Sequence, residues 1–232
     1  MSALVSVIVP TYNEAENISE LLERIDATMR SRYLYEVITV EDNSPDGIAE
    51  VARKLSSRLP VKVVVRQARI GLSNAVVDGF KNATERYRAE IDDDLQHSPE
   101  VIPDFIQKLE EGYQVAIASR YIQGGGTVGF SYFRRIISKG ATMLGWIMFP
   151  QTKGVRDAMS GFFATMGELA LGETELKGFK ILLEILSALC PEKVVEVPHV
   201  IQRRKYGKSK LTFKEMINYA RDLYRLQKIY EN

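Results

Sequence analysis

The chain has 232 residues, of which 45% are hydrophobic and 26% are charged, and its formal net charge is +1. This balance is ordinary for a globular protein, and the length allows a substantial core. The small net charge gives no reason to expect a nucleic-acid partner, so electrostatic function must come from local clusters. One cysteine and two histidines cannot build a disulfide framework or a zinc site.

The N-terminus leads directly into a predicted strand, so we expect no signal peptide. A membrane-spanning helix needs about 20 consecutive apolar residues, and no segment approaches that length. The longest candidate, residues 141–149, is about half as long.

Strands and helices alternate in the predicted first half of the chain. Residues 4–9 form a nearly continuous apolar segment that stops at Pro10, which is typical of a buried parallel strand. Asn13 is a candidate N-cap for the first helix. The patterns predict further strands at 35–40, 61–65, 87–91 and 113–119, and helices at 14–29, 48–57, 72–84 and 99–111. This alternation predicts an α/β fold with a mostly parallel central sheet flanked by helices.

Polar segments follow three of the predicted strands, at residues 10–14, 41–42 and 92–94. In an open parallel sheet, ligands bind at the carboxyl ends of the strands. We therefore expect these segments to converge on one edge of the sheet.

Asp92, Asp93 and Asp94 form a run of like charge that cannot lie in the core, because burying even one carboxylate without a partner costs several kcal/mol. If the fourth strand continues through them, Asp92 and Asp94 project to the same side, with Gln96 two positions further on. Oxygen ligands at this spacing suit Mg²⁺ or Mn²⁺. A solvated acidic turn at a strand end is the alternative interpretation.

The second half of the chain has a different character. Residues 131–149 predict a helix with basic residues near its start and apolar ones after, which indicates an interfacial helix, a core helix or a dimer face. Three consecutive glycines at 124–126 indicate a hinge or a mobile lid. The patterns also predict a short buried strand or turn at 160–164, a helix at 178–189, a strand at 194–198, a basic loop at 202–211 and a final amphipathic helix at 213–230.

Several short motifs occur in a fixed order, while Walker A and Gly-x-Gly-x-x-Gly patterns are both missing from the sequence. The motifs are PTYNE at 10–14, EDNSPDG at 41–47, GLS at 71–73, DDDLQH at 92–97, SRY at 119–121, SGFF at 160–163 and YGKSKL at 206–211. A P-loop ATPase or a Rossmann dehydrogenase is therefore poorly supported.

On these motifs the chain resembles the dolichol-phosphate mannose synthases, which are family 2 glycosyltransferases with the nucleotide-diphospho-sugar transferase (GT-A) fold. The resemblance covers nearly the whole chain. It implies a single catalytic domain over residues 1–232, with a nucleotide-sugar-binding half at 1–121 and an acceptor-binding half at 122–232.

The resemblance also implies roles for individual residues. A guanosine and diphosphate site would be lined by Pro10, Tyr12, Glu14, Glu41, Asp42, Asp92 and Asp93. A Mg²⁺ or Mn²⁺ ion would be ligated by Asp92, Asp94 and Gln96. Catalytic residues around the diphosphate and the acceptor phosphate would be Asp94, Arg120, Arg134, Ser138, Arg204 and Lys210.

The chemistry of such a reaction agrees with this residue set. A lipid phosphate is already anionic at neutral pH, so the site needs no general base and must instead supply cations that orient the phosphate. Arginine suits this task because its planar fork binds phosphate through two nitrogens.

This chain departs from the resemblance at a few positions. Glu41 stands where an Asp is usual, and Asp93 replaces a small residue. Arg88 and Glu90 replace aliphatic residues in the predicted fourth strand, and pairing of these two side chains with each other is the one explanation that the sequence offers. We expect His97 to shape the turn that follows the acidic run rather than to ligate the ion.

The resemblance implies an inverting transferase that moves mannose from GDP-mannose to dolichyl phosphate. The protein would be peripheral at the cytoplasmic face of a membrane: the endoplasmic reticulum in a eukaryote, the plasma membrane in an archaeon or bacterium. The alternatives are a transferase that uses UDP-glucose and a non-catalytic nucleotide-sugar-binding subunit. A soluble form, dependence on a membrane-anchoring subunit and truncation of a longer chain stay open.

Overall fold

The computed structural model describes residues 4–68, 71–129, 132–166, 181–189 and 193–205, together with residues 221, 223–224 and 227–228. For residues 132–137, 139 and 188–189 it describes the backbone alone.

The described strands are β1 (Leu4–Thr11), β2 (Leu34–Glu41), β3 (Val61–Val65), β4 (Tyr87–Glu90), β5 (Val115–Ser119), β6 (Gly126–Thr127), β7 (Phe163–Met166), β8 (Val194–Pro198) and β9 (Val200–Ile201). The described helices are α1 (Ala15–Met29), α2 (Ile48–Leu55), α3 (Leu72–Asn82), α4 (Ile102–Glu110), α5 (Tyr132–Met148) and α6 (Ile181–Leu189). Short 3₁₀ turns precede α4 at Pro99–Val101 and follow α5 at Pro150–Thr152. The final predicted helix, 213–230, lies almost entirely outside the described residues.

The central sheet has the strand order β3-β2-β1-β4-β7-β5-β8. Strand β7 runs antiparallel to β4 and β5, whereas the other described pairings are parallel. The predicted mostly parallel sheet is therefore confirmed. The short buried segment predicted at 160–164 overlaps β7, the antiparallel strand of this sheet.

The pairing register places the predicted polar segments along one edge. Thr11 at the end of β1 pairs with Glu41 at the end of β2, and Ile8 pairs with Glu90 at the end of β4. The loops that follow these three strands leave the sheet side by side. This confirms that the acidic segments converge.

The core has two layers, one on each face of the sheet. Helices α1, α2 and α4 pack over Val5, Val7 and Val9, while α3 and α6 pack over Ile8 and Ile38. Because both faces are covered, β1 needs apolar residues at successive positions, and this explains its continuous apolar sequence.

The start of α1 is stabilised from another loop rather than by Asn13. Asn13 has a left-handed backbone (φ 60°) and makes no capping bond, so the predicted N-cap is wrong. Instead, the backbone N–H of Ala15 donates to Asp46 at 2.8 Å, and the N–H of Asn13 donates to Ser44 Oγ at 2.8 Å. The Asp46 carboxylate thus satisfies an amide at the helix N-terminus, where negative charge is favourable.

The glycine-rich segment 124–126 lies in a hydrogen-bonded turn. The N–H of Gly125 donates to the Ile122 carbonyl and that of Gly126 to the His199 carbonyl. A Cβ atom at residue 125 would lie 2.3 Å from the Ser119 carbonyl oxygen, so only glycine fits there. The hinge or lid stays a prediction.

Helix α5 confirms the predicted helix and presents an apolar outer face. Thr142 and Gly145 are buried, while Met143, Leu144 and Ile147 are 59%, 37% and 63% exposed. The exposure of these three side chains contradicts the core-helix alternative for the described part of α5, while the interfacial helix and the dimer face stay predictions. None of the helices in the described ranges is both long enough and apolar enough to cross a membrane.

Arg88 stabilises the end of α3. Its side chain is buried and donates to the carbonyl oxygens of Phe80 at 3.2 Å, Ala83 at 3.3 Å and Glu85 at 3.3 Å. A cation at a helix C-terminus satisfies carbonyls that have no partner within the helix and opposes their negative dipole.

This contact predicts that Arg88→Met destabilises the fold by about 2–3 kcal/mol, because buried carbonyl groups lose charge-assisted hydrogen bonds. Urea denaturation followed by circular dichroism measures the change. Arg86→Met is the matched control, since Arg86 is exposed and lies over the Tyr87 ring. Equal stability of the two variants would contradict this role for Arg88.

Candidate active site

The acidic run lies in a tight turn rather than in a continuing strand. Strand β4 ends at Glu90, and Leu95 has a left-handed backbone (φ 57°) although its side chain is buried. Asp94 Oδ1 accepts a hydrogen bond from the Gln96 N–H at 3.0 Å, which closes the turn around Leu95. The premise that strand alternation places Asp92 and Asp94 on one side is therefore wrong. Such strained conformations of bulky residues concentrate at functional sites.

Asp93 has a structural contact that accounts for the third acidic residue. Its Oδ2 accepts the Tyr12 N–H at 3.2 Å, which connects the loop after β4 to the loop after β1. Asp93 is buried, and a backbone donor compensates part of the cost of burying its charge. Its nucleotide contact stays a prediction.

Asp92 is the more open member of the run, with 29% of its side chain exposed. Its Oδ2 lies 3.8 Å from His97 Nε2. On its other side, a Cβ atom at Gly161 would lie 2.7 Å from the same oxygen, so glycine leaves the room that this carboxylate occupies. The SGFF motif thus shapes the acidic turn.

Arg204 joins the two loops to the basic loop. Its Nη1 lies 2.9 Å from Glu14 Oε1 and its Nη2 lies 2.5 Å from Asp94 Oδ2. The side chains of Glu14 and Asp94 are 4% and 9% exposed, so the guanidinium places one positive charge beside two buried carboxylates. The structure thereby brings together three predicted site residues from distant parts of the sequence.

Two glutamines fasten the basic loop to the acidic turn. Gln96 Nε2 donates to the Gln202 carbonyl at 3.0 Å, and the Gln202 N–H donates to the Gln96 carbonyl at 2.9 Å. With the nitrogen of Gln96 used in this way, its Oε1 is the atom that can serve as a metal ligand.

The side-chain oxygens of the acidic turn suit a divalent cation, provided that Arg204 moves away from Asp94. Within the described ranges, no group of three or more His, Cys, Asp or Glu side chains is arranged to hold a metal ion. The oxygens of Asp92, Asp94 and Gln96 are the hard ligands that Mg²⁺ and Mn²⁺ prefer. Asp94 Oδ2 is bound to Arg204, so the residues fit the ion when this guanidinium moves away from Asp94.

The two carboxylates at the end of β2 accept hydrogen bonds from other groups of the protein. Asp42 accepts hydrogen bonds from Arg66 Nη1 at 2.9 Å and from the Gly71 N–H at 3.0 Å, and Glu41 accepts the Ser44 N–H. Arg66 also pairs with Asp78 at 3.0 Å. The nucleoside contacts of Glu41 and Asp42 stay predictions. Sequence reasoning missed Arg66, although its position directly after β3 at the same edge was a usable signal.

Arg120 is fixed by a buried aspartate that the sequence did not reveal. Its Nε and Nη2 lie 2.7 Å and 2.5 Å from the two oxygens of Asp157, whose side chain is fully buried. Burial acts to lower the pKa of Arg120, but the hydrogen bonds and charge of Asp157 prevail and raise it. The fork expected to bind phosphate is thus directed at Asp157, and a phosphate contact of Arg120 stays a prediction.

Ser138 lies beside this pair. The Tyr121 hydroxyl donates to Ser138 Oγ at 2.9 Å, and the Arg120 guanidinium lies 5.1 Å from the Tyr121 ring centroid. Of the other predicted residues, Pro10 is buried at the end of β1, Tyr12 is half-buried, and the backbone of Arg134 lies in the first turn of α5. Lys210 lies outside the described residues.

The glycosyl transferase family 2 model matches residues 6–175. A curated dolichol-phosphate mannosyltransferase from Pyrococcus furiosus is 47% identical over 225 residues, which cover 97% of this chain. The same match covers 64% of the Pyrococcus protein, so the chain spans less than two thirds of that relative. The dolichol-phosphate mannosyltransferase of Saccharomyces cerevisiae is 36% identical over 96% of this chain and 86% of its own length.

Among solved structures, the fold is similar to glucosyl-3-phosphoglycerate synthase from Mycobacterium tuberculosis. Its complex with Mn²⁺, uridine diphosphate and glucosyl-3-phosphoglycerate gives a TM-score of 0.70 at 17% identity, over 97% of this chain and 78% of that one. A second complex, with Mn²⁺, UDP-glucose and phosphoglyceric acid, gives 0.71 at 17% identity, over 99% and 79%.

These structural matches confirm the GT-A fold. With the family match and the two curated relatives, they show that the chain belongs to glycosyl transferase family 2, in the branch of the dolichol-phosphate mannosyltransferases.

Proposed function

We propose that this protein is an inverting, metal-dependent glycosyltransferase that moves mannose from GDP-mannose to dolichyl phosphate. The observation that carries the proposal is the meeting of Glu14, Asp94 and Arg204 at the carboxyl edge of the sheet. The acidic turn and the start of the basic loop therefore lie side by side, which supports a cation and a phosphate as the ligands of this edge. The acceptor and the sugar come from the relatives, which are named for them.

On the donor side, Asp92, Asp94 and Gln96 would hold Mg²⁺ or Mn²⁺, with the nucleoside against Pro10 and Tyr12. The bound ion supplies a Lewis acid that neutralises the charge of the departing diphosphate. The chain's own contribution is orientation: the turn around Leu95 and the Asp93 contact with Tyr12 fix the carboxylates before the donor arrives.

On the acceptor side, the protein supplies cations and hydroxyl groups. Arg120, held by Asp157, directly follows β5, and Ser138, which accepts a hydrogen bond from Tyr121, lies in α5, whose first turn contains the backbone of Arg134. Arg204 would leave Asp94 when the ion binds and would then pair with phosphate, with Lys210 also in the basic loop. The acceptor phosphate is already ionised, so orientation against the anomeric carbon is the task that remains.

The outer face of α5 supports a position at the membrane surface. Met143, Leu144 and Ile147 form an exposed apolar strip on one side of the helix. An amphipathic helix of this kind can lie in the interface with its apolar face in the headgroup region. We place the protein peripherally at the cytoplasmic face, directly or through a membrane-anchoring subunit, where a dolichyl chain can stay in the bilayer.

The proposal is tested by incubating the protein with dolichyl phosphate and either GDP-mannose or UDP-glucose, with Mg²⁺, Mn²⁺ or a chelator. We expect lipid-linked mannose that is lost with the chelator. Equal or better use of UDP-glucose would overturn the choice of donor. No transfer from either donor would favour the non-catalytic subunit.

Gly161→Ala tests the space beside Asp92. The added Cβ would displace the Asp92 carboxylate, so we expect Mn²⁺ affinity to fall about tenfold while the fold persists, because a side-chain end can rotate aside. Isothermal titration calorimetry with Mn²⁺ measures the affinity. Gly140→Ala is the control, since its added Cβ meets no atom within 4 Å. Unchanged affinity in Gly161→Ala would contradict the placement of the ion at Asp92.

Arg204→Gln tests competition between the guanidinium and the ion. Without Arg204, Asp94 Oδ2 loses the guanidinium that contacts it, so we expect Mn²⁺ to bind more tightly in the absence of donor. Turnover should fall about a hundredfold, because a phosphate-binding cation is lost. Arg203→Gln, at an exposed neighbour, is the matched control for both measurements. Weaker Mn²⁺ binding in Arg204→Gln would show that the two cations do not compete.

A further inference from the structure

The two histidines of the chain form a buried pair behind the acidic turn. His97 Nδ1 lies 3.2 Å from His199 Nε2, and the exposed fractions of the two residues are 6% and 3%. The ring planes differ by 25° with centroids 5.1 Å apart. Rings this close to coplanar, joined nitrogen to nitrogen, have the geometry of an edge-to-edge N–H···N hydrogen bond.

The pair is held from several sides. The His199 N–H donates to the Ser119 carbonyl at 3.0 Å, and its own carbonyl accepts the Gly126 N–H at 3.0 Å. The Phe162 ring packs at 5.2 Å from the His97 ring and 5.5 Å from the His199 ring, centroid to centroid. Backbone bonds at His199 and the Phe162 ring thus enclose the pair, while the contact between the two ring nitrogens joins the imidazoles.

The direction of hydrogen bonding follows from the surroundings. Burial lowers the pKa of His199 to about 4, and the nearby charge of Arg120 adds to this effect. His199 is therefore neutral near pH 7 and carries one N–H. His97 Nε2 faces the Asp92 carboxylate at 3.8 Å, where a lone pair would be repelled, so we assign a proton to this nitrogen.

If His97 is neutral, its Nδ1 then accepts the Nε2–H of His199; if His97 is charged, its Nδ1–H donates to His199. In either case the Nε2–H of His97 points at Asp92. The 3.8 Å distance is too long for a hydrogen bond, and a small movement of the carboxylate would close it. On the opposite side, the missing Cβ of Gly161 defines the room available to the same carboxylate.

We propose that His97 and His199 are positioning residues for Asp92: His199 orients the His97 ring, and the Nε2–H of His97 holds the Asp92 carboxylate in the orientation that ligates a divalent cation. The inference rests on the proposed function, because it assumes that Asp92 is a metal ligand. Neighbours that orient a ligand in this way typically change metal affinity 10- to 100-fold, roughly, when they are removed.

Two pairs of variants separate hydrogen bonding from packing. In His97→Gln the amide nitrogen can take the place of Nε2 and keep a donor facing Asp92, whereas His97→Asn is too short to do so. In His199→Gln the amide nitrogen keeps the donor to His97, whereas His199→Leu removes it. Phe162→Leu alters the packing against both rings without touching a hydrogen bond.

The measurement is Mn²⁺ binding by the whole protein without donor or acceptor, followed through the electron paramagnetic resonance signal of the unbound ion. Thermal unfolding of each variant is recorded beside it. We expect His97→Asn and His199→Leu to weaken Mn²⁺ binding about tenfold, and the two glutamine variants to recover most of it. Phe162→Leu should lower thermal stability and leave Mn²⁺ affinity near that of the wild type.

Equal Mn²⁺ affinity in His97→Asn and His97→Gln, or in His199→Leu and His199→Gln, would overturn the positioning role and leave the proposed function intact. A loss of affinity in Phe162→Leu as large as in His97→Asn would also overturn it, because packing alone would then explain the effect. Failure of the wild type itself to bind Mn²⁺ would overturn the metal site of the proposed function together with this inference.

Discussion

The buried carboxylates of Glu14 and Asp94 share one cation, the Arg204 guanidinium, and the arrangement of the acidic edge depends on this contact. Parallel pairing forces the loops after β1 and β4 together, so their negative charges lie close in a region from which water is largely excluded. A nearby cation offsets the cost of burying these charges, and Arg204 supplies it in this structure. Because Arg204 belongs to the basic loop, a movement of this residue would change the charge beside Glu14 and Asp94.

Buried ionic contacts recur along the same edge and hold it in shape. Asp157 fixes Arg120, and Glu196 in turn accepts the N–H groups of Arg156 and Asp157 at 3.0 Å and 2.9 Å. On the far side of β1, Arg66 pairs with Asp42. Each pair places a charge in a fixed orientation, which lowers the reorganisation needed when a charged substrate binds. Asp93 and Asp94 are buried as well, so the acidic run is not a merely solvated turn.

Much of the architecture was accessible from the sequence. Apolar periodicity predicted the six described helices and the mostly parallel central sheet, because local patterning reports which faces are buried, but it did not predict the two-residue strands β6 and β9. The ordered motifs identified the family. The contacts of individual motif residues were less accessible: Asp46 caps α1 and Asp93 binds a backbone amide, so residues with side chains suited to ligands also hold loops together. Arg88 occupies a strand position where an aliphatic residue is expected, and only its three carbonyl partners in the structure account for it.

The sequence by itself determined the fold class, the edge at which the acidic segments meet and the family, since these follow from periodicity, strand order and motif order. The tertiary structure decided which charges are partners. Arg204 reaches Glu14 across 190 positions, Arg120 reaches Asp157 across 37, and His97 meets His199 across 102. Contacts over such separations depend on how loops leave the sheet and on the space left by residues such as Gly161. Neither property can be predicted from the local sequence.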